Sequence, residues 1–142
     1  MDSYLKHYIN GKWVDSIGGK RHEVISPSTE EPCTEITLGT QADVDAAVSA
    51  ARQAFKTFSQ TSREERIALM NRIIEEYKKR IPDFAKSMAA EMGAPVSFAT
   101  MAQAPAGLGG FLGTLPALEN FAFKEQHGAN TVVYEPIGVV GL

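Results

Sequence analysis

The chain has 142 residues, of which 44% are hydrophobic and 22% charged, with a formal net charge of -3 and an isoelectric point near 5.6. This composition suits a globular chain with one modest core and excludes a disordered one, and the slight acidity leaves no basic footprint for nucleic acid or an anionic membrane. A single cysteine, Cys33, excludes an internal disulfide and a cysteine-based zinc cluster, and points to a reducing, cytoplasmic setting.

The opening residues carry no basic region followed by an apolar core, so no signal peptide is expected. No stretch reaches the ~18–20 apolar residues of a membrane span, and no membrane partner is expected either. Tyr8-Ile9-Asn10-Gly11-Lys12-Trp13-Val14 places Asn-Gly between apolar residues. Asn-Gly favours positive φ at both central turn positions, which predicts a tight hairpin. His22-Glu23-Val24-Ile25 reads as a short strand, ended by a turn-rich segment with Pro27 and Pro32, and residues 35–38 read as a third strand closed by Gly39.

From Thr40 the period becomes helical. Thr40 and Asp43 form an N-cap signature, and Val44, Val48, Ala51, Phe55 and Phe58 recur at spacings of four and three. Ser62 and Glu65 repeat the capping pattern before a second stripe of Ile67, Met70, Ile73, Ile74, Tyr77 and Ile81. Pro82 is expected to break or kink that helix. Phe84, Ala85, Met88, Ala89 and Met92 then lead to Gly93, a candidate helix-ending residue with Pro95 just beyond.

Residues 96–123 are rich in Ala, Leu, Met and Phe but hold Pro105, Pro116 and four glycines, and they predict a buried helix with an irregular middle. Gly128-Ala129-Asn130 turns the chain into a β run, Thr131-Val132-Val133-Tyr134. Pro136 interrupts it, and Ile137-Gly138-Val139-Val140-Gly141-Leu142 resumes without polar alternation, as in a parallel strand buried on both faces. In open α/β sheets ligands bind beyond the carboxyl ends of such strands, and this sequence stops before that loop.

No candidate for chemistry outweighs its structural alternative. Cys33 lies among acidic residues with no base beside it, so a structural role is expected. His7, His22 and His127 share no helical spacing and suggest surface or capping roles. Gly107, Gly109 and Gly110 lack the third glycine of a dinucleotide loop and follow no strand, so close helix packing is expected. Gly138 and Gly141 lie in a strand but lack the rest of that fingerprint. The charged runs at residues 63–66 and 75–80 read as solvated helix faces, and Phe111, Phe121 and Phe123 read as core.

Taken together, the hairpin from Tyr8 to Val14, Ile25-Ser26-Pro27-Ser28-Thr29-Glu30, the two capped helices, Glu91-Met92-Gly93-Ala94-Pro95 and Glu135-Pro136-Ile137-Gly138-Val139-Val140-Gly141 resemble the amino-terminal portion of the NAD(P)-dependent aldehyde dehydrogenase superfamily. The resemblance covers nearly the whole sequence. It implies an α/β fold, with a β-hairpin and several amphipathic helices leading into the first strand of a Rossmann-like cofactor sheet, where Ile-x-Pro-Trp-Asn normally follows. Residues 1–39 would be amino-terminal strands and turn, 40–127 a helical segment, and 128–142 an oligomerisation-type strand and the start of the cofactor sheet, all in one incomplete domain.

The superfamily oxidises aldehydes to carboxylic acids with NAD or NADP, through a covalent intermediate on a cysteine and a glutamate that activates water. An asparagine side chain and a backbone N–H hold the oxyanion. None of those residues matches a position here, so no catalytic and no cofactor-binding residue is assigned, and the chain alone is expected to be inactive. Some members also hold a monovalent cation, and the matching positions are the backbone carbonyls of Val24 and Ile25 and the carboxylate of Glu91. Ser26 stands where the family usually has Asn, Glu30 where Gly is common, and Ala94 where Lys is frequent. The resemblance also implies a homo-oligomer formed through residues 129–135, from Ala129 to Glu135. Two other readings remain open: a noncatalytic interaction or oligomerisation module, and a branch of the superfamily that transfers the acyl group to coenzyme A or phosphate.

Overall fold

Asn10 and Gly11 both take positive φ, 52° and 75°, as a two-residue turn of this kind requires. They join β2 (Lys6–Ile9) to β3 (Lys12–Asp15), with Tyr8 opposite Trp13 and their rings 5.2 Å apart. The computed structural model describes residues 2–141. A second sheet has the order β1-β5-β4, in which β1 (Asp2–Tyr4) runs parallel to β5 (Pro32–Thr37) and β4 (Arg21–Ile25) antiparallel to it, with a bulge between Val24 and Ile25.

Helix α1 (Gln41–Phe58) begins with the expected capping box of Thr40 and Asp43. The Asp43 carboxylate does more than cap. It accepts from the Ser16 hydroxyl at 2.5 Å, the Ile17 N–H at 2.9 Å and the Thr40 N–H at 2.8 Å. His7 Nε2 on the hairpin lies 4.0 Å from it. This buried carboxylate therefore joins the helix start to the chain leaving β3 and to β2.

Helix α2 (Arg63–Met92) also begins with its expected capping box, Ser62 with Glu65, and runs unbroken for 30 residues. The expected break at Pro82 does not occur. Pro82 and Lys78, whose carbonyl loses its donor, are both exposed, so water can replace the missing N–H, while Ile81, Phe84 and Met88 around it pack against the core. The helix ends at Gly93 with φ 68°. A β-carbon there would lie 2.8 Å from Pro27 Cγ, so Gly93 is needed for the conformation and for the space.

After one turn, α3 (Val96–Phe98), the chain widens into a π turn at Ala99–Gln103 and continues as α4 (Ala104–Asn120). Pro105 has no N–H for the Met101 carbonyl, and the widening falls just before it. The helix is irregular as expected, but it is not buried. Pro105, Leu108, Phe111, Leu115 and Leu118 are half-buried toward α2, and the opposite side is open. The core is small: Ala85, Ala99 and Ala104, with Ile74 separately buried. Gly107 confirms the close-packing reading, since a β-carbon there would overlap the Tyr77 hydroxyl. Gly109, Gly110 and Gly113 do not, because nothing stands within 4 Å of theirs.

The chain closes with a hairpin of β6 (Lys124–His127) and β7 (Asn130–Val133), turned at Gly128 with φ 60°. Residues 134–141 form no strand, contrary to the expected parallel strand, and Ile137 is 94% exposed. A strand exists only against a neighbour, and no strand among the described residues pairs with this run. Leu142 lies outside the described residues.

The Ser16 hydroxyl, then the Ile17 and Thr40 N–H groups, hold the Asp43 carboxyl far below its ordinary 3.8, against the opposing effect of burial. Because the folded form has the lower pKa, this stabilisation is complete at neutral pH and is lost as pH falls below 3.8. We therefore expect amide-exchange protection of Ile17 to exceed that of an Asp43→Asn variant at pH 7, and the difference to shrink steadily below pH ~4. A difference that is constant with pH would show that the charge is not what holds the junction.

Candidate functional site

The three residues singled out for a cation come from two elements that meet at Gly93. Val24 and Ile25 end β4, and the turn that follows carries Pro27 against Gly93, two residues beyond Glu91 in the last turn of α2. The Val24 carbonyl accepts from Cys33 Sγ at 3.3 Å, across the ladder. Ile25 sits at the bulge, where its register partner is Pro32. Glu91 is exposed and shares a groove with Cys33, Thr34, Arg80 and Lys86. The turn after Ile25 thus packs on the residue two positions beyond Glu91, and the groove that Glu91 lines also holds Arg80, Asp83 and Lys86.

Cys33 is half-buried and engaged with backbone, as a structural cysteine is. The three histidines sit on separate strands, β2, β4 and β6, and His127 pairs with Glu125 at 3.0 Å. Among the described residues, no group of three or more His, Cys, Asp or Glu side chains is placed to hold a metal ion.

The carboxyl-terminal segment is built on Arg63, which sequence reasoning assigned to a solvated face. Its guanidinium donates to the Glu119 carbonyl at 3.2 Å and to the Phe121 carbonyl, and it lies over the Phe123 ring at 5.5 Å. One side chain at the start of α2 thereby satisfies the carbonyls at the end of α4 and aims the chain into β6. No local pattern distinguishes such an arginine from a solvated one; only the orphan carbonyls of a helix end with no basic residue of its own hint at it. Phe121 stacks with Phe123 at 4.9 Å and with Tyr134 at 5.2 Å, whereas Phe111 joins Tyr77 on α2, so the three phenylalanines serve two different contacts. The ion pairs on the charged face of α2 join i,i+3 neighbours, Lys78 with Glu75 and Lys79 with Glu76.

Beyond Pro136, Gly138, Val139, Val140 and Gly141 line a groove with Val48, Arg52 and Phe55 of α1. The run the sequence marks as a cofactor-sheet strand therefore lies along the apolar stripe of the first helix.

The turn that follows Ile25 stores strain. Glu30 takes φ 59°, a left-handed conformation that costs a non-glycine residue about 1–2 kcal/mol. Its N–H reaches the Ser26 carbonyl at 2.8 Å, and the Ser26 N–H reaches Glu31 at 3.0 Å. Glu30→Gly should tighten this turn by about 0.5–1 kcal/mol after glycine's own entropic cost. Amide exchange at Ser26 should slow by roughly two- to fivefold; faster exchange would mean that other contacts hold the left-handed turn.

The family model described as the aldehyde dehydrogenase family matches residues 13–142. A putative aldehyde dehydrogenase of Staphylococcus aureus is 43% identical over all 142 residues, which are 30% of that relative's length. An aldehyde dehydrogenase structure from Bartonella henselae matches 92% of this chain and 28% of its own, with TM-score 0.87 and 40% identity. Aldehyde dehydrogenase C from Pseudomonas syringae, solved with NAD+ and octanal, matches 94% of this chain and 27% of its own, with TM-score 0.90 and 34% identity. The chain belongs to the aldehyde dehydrogenase family, and it spans about a third or less of the length of these relatives.

Proposed function

We propose that this chain is the amino-terminal scaffold of an NAD(P)-dependent aldehyde dehydrogenase that oxidises an aldehyde to a carboxylic acid. The observation that carries the reading is the likeness, over 94% of the chain, to an enzyme solved with NAD+ and octanal. When bound, NAD or NADP would accept the hydride. The part played by these residues is architectural: residues 137–142 would supply the first strand of the cofactor sheet, and α1 already backs that run with Val48 and Phe55. Residues 1–39, 40–127 and 128–142 are then three segments of one incomplete domain.

Cys33 takes no part in the chemistry on this reading, and the chain alone is inactive. Residues 129–135 would join a second subunit, in keeping with the exposed Val132 and Val133 of β7, whose partner strand lies on one side only. A cytoplasmic setting goes with the same reading. The protein purified from its source should have a polypeptide roughly three times longer than 142 residues, a native mass that is a multiple of that polypeptide, and aldehyde-dependent NADH or NADPH formation that the 142-residue chain lacks. A long chain without that activity would sink the catalytic reading, turnover by the short chain would sink its inactivity, and a native monomer would sink the oligomer.

The reading extends to a monovalent cation held by the carbonyls of Val24 and Ile25 and the Glu91 carboxylate. The packing of Gly93 on Pro27 supports it, because it fixes the last turn of α2 beside the end of β4. Sodium or potassium, compared with choline at equal ionic strength, should slow amide exchange in residues 24–31, and Glu91→Gln should remove the difference. Equal exchange in all three salts would rule the site out.

A further inference from the structure

Asn10 and Gly11 form the exposed tip of the β2–β3 hairpin. Among the described residues, neither the Asn10 side chain nor the Gly11 N–H has a hydrogen-bond partner. A β-carbon at Gly11 would meet nothing within 4 Å, so the space beside its backbone is open. The other asparagines lack this combination. Asn71 lies inside α2, where the N–H of Arg72 is spent on the helix. Asn120 donates its amide to the Pro116 carbonyl at 2.8 Å and precedes Phe121, and Asn130 is paired with His127 and precedes Thr131.

We propose that Asn10 is a modification site, at which its side-chain amide is lost to hydrolysis by way of the Gly11 nitrogen, and that the change frees the hairpin from α1. The Gly11 nitrogen attacks Asn10 Cγ and gives up its proton, the Cγ–Nδ2 bond breaks, and ammonia leaves a five-membered cyclic imide. Water then opens the ring. Attack at Cγ leaves aspartate, whereas attack at the Asn10 backbone carbonyl leaves isoaspartate, in which the main chain runs through Cγ and is longer by one atom. Nothing is oxidised or reduced, and water is the only co-reactant.

A two-residue turn has no slack for an added backbone atom. Turn length fixes the register of a hairpin, so the pairs Tyr8 with Trp13 and Ile9 with Lys12 are disturbed. A two-stranded hairpin is marginal by itself. This one meets α1 in a groove that Asn10 and Gly11 share with Ala47, Ala50, Ala51 and Ala54, and again where His7 Nε2 lies 4.0 Å from the Asp43 carboxylate. Both contacts depend on the native register.

The test ages the full polypeptide, purified from its source, in neutral buffer and follows each asparagine by peptide mapping. Asn10 should lose its amide about tenfold faster than Asn71, Asn120 and Asn130, because only its successor lacks a β-carbon. The loss should quicken as pH rises, since the attacking nitrogen must shed its proton. In the isoaspartate fraction, amide protection of residues 6–15 should fall about tenfold. Asn10→Gly keeps a left-handed turn with no side chain to react, and its protection should survive the same ageing. Fresh Asn10→Asp should also keep its protection, because the charge alone does not lengthen the chain. Equal amide loss at every asparagine, or none at Asn10, would overturn the modification site. Isoaspartate at residue 10 with unchanged protection would overturn the release of the hairpin, as would an unaged Asn10→Asp protein that has already lost it.

Discussion

The distance between α2 and α4 is set by Tyr77, and the helical layer follows from it. Its hydroxyl donates to the Ala104 carbonyl at 2.9 Å, its ring lies 4.8 Å from Phe84 and 5.8 Å from Phe111, and Gly107 leaves the space it occupies. The residues buried beside it, Ala85, Ala99 and Ala104, are small. Small residues let two helices approach closely but remove little apolar area from water, and stabilisation scales with that area. A layer built in this way is well positioned and weakly held.

Polar clasps do the joining that a larger core would otherwise do. Asp43 ties α1 to the chain after β3, and Arg63 ties α2 to the end of α4 and the start of β6. Both act at helix ends, where unpaired N–H or C=O groups await partners. Asp43 also suits the dipole of α1, being a carboxylate in its first turn. Arg63 sits at the helix end that disfavours a cation, and the carbonyls of α4 offset that cost. Such clasps specify geometry well because each donor and acceptor has a direction.

The parts of the fold that were legible in the sequence are those whose physics is local. Two capping boxes, the Asn-Gly turn and the left-handed glycine at 93 each need only neighbours within four residues. Strand β1 has its partner some thirty residues away, and Lys124-Glu125-Gln126-His127 becomes a strand only because β7 pairs with it, so neither announces itself. Pro82 failed as a breaker because tertiary packing on both sides of it outweighed one lost hydrogen bond. Val24, Ile25 and Glu91 were singled out only through the family resemblance, since backbone carbonyls leave no mark on side-chain identity.

Where sequence and fold disagree most, the disagreement has one direction. Residues 137–141 read as a strand buried on both faces, residues 96–123 as a buried helix, and the α1 stripe as a face against a core; yet the first is exposed, the second half-open, and Val44 and Phe58 of the third lie in solvent. If the expectations were merely poor, some segments would prove more buried than their pattern suggests. Instead all three are less buried. An amino-acid pattern records the surroundings in which it was selected, and these three segments record surroundings with more apolar mass than this chain supplies. Their shared deficit agrees with relatives some three times longer.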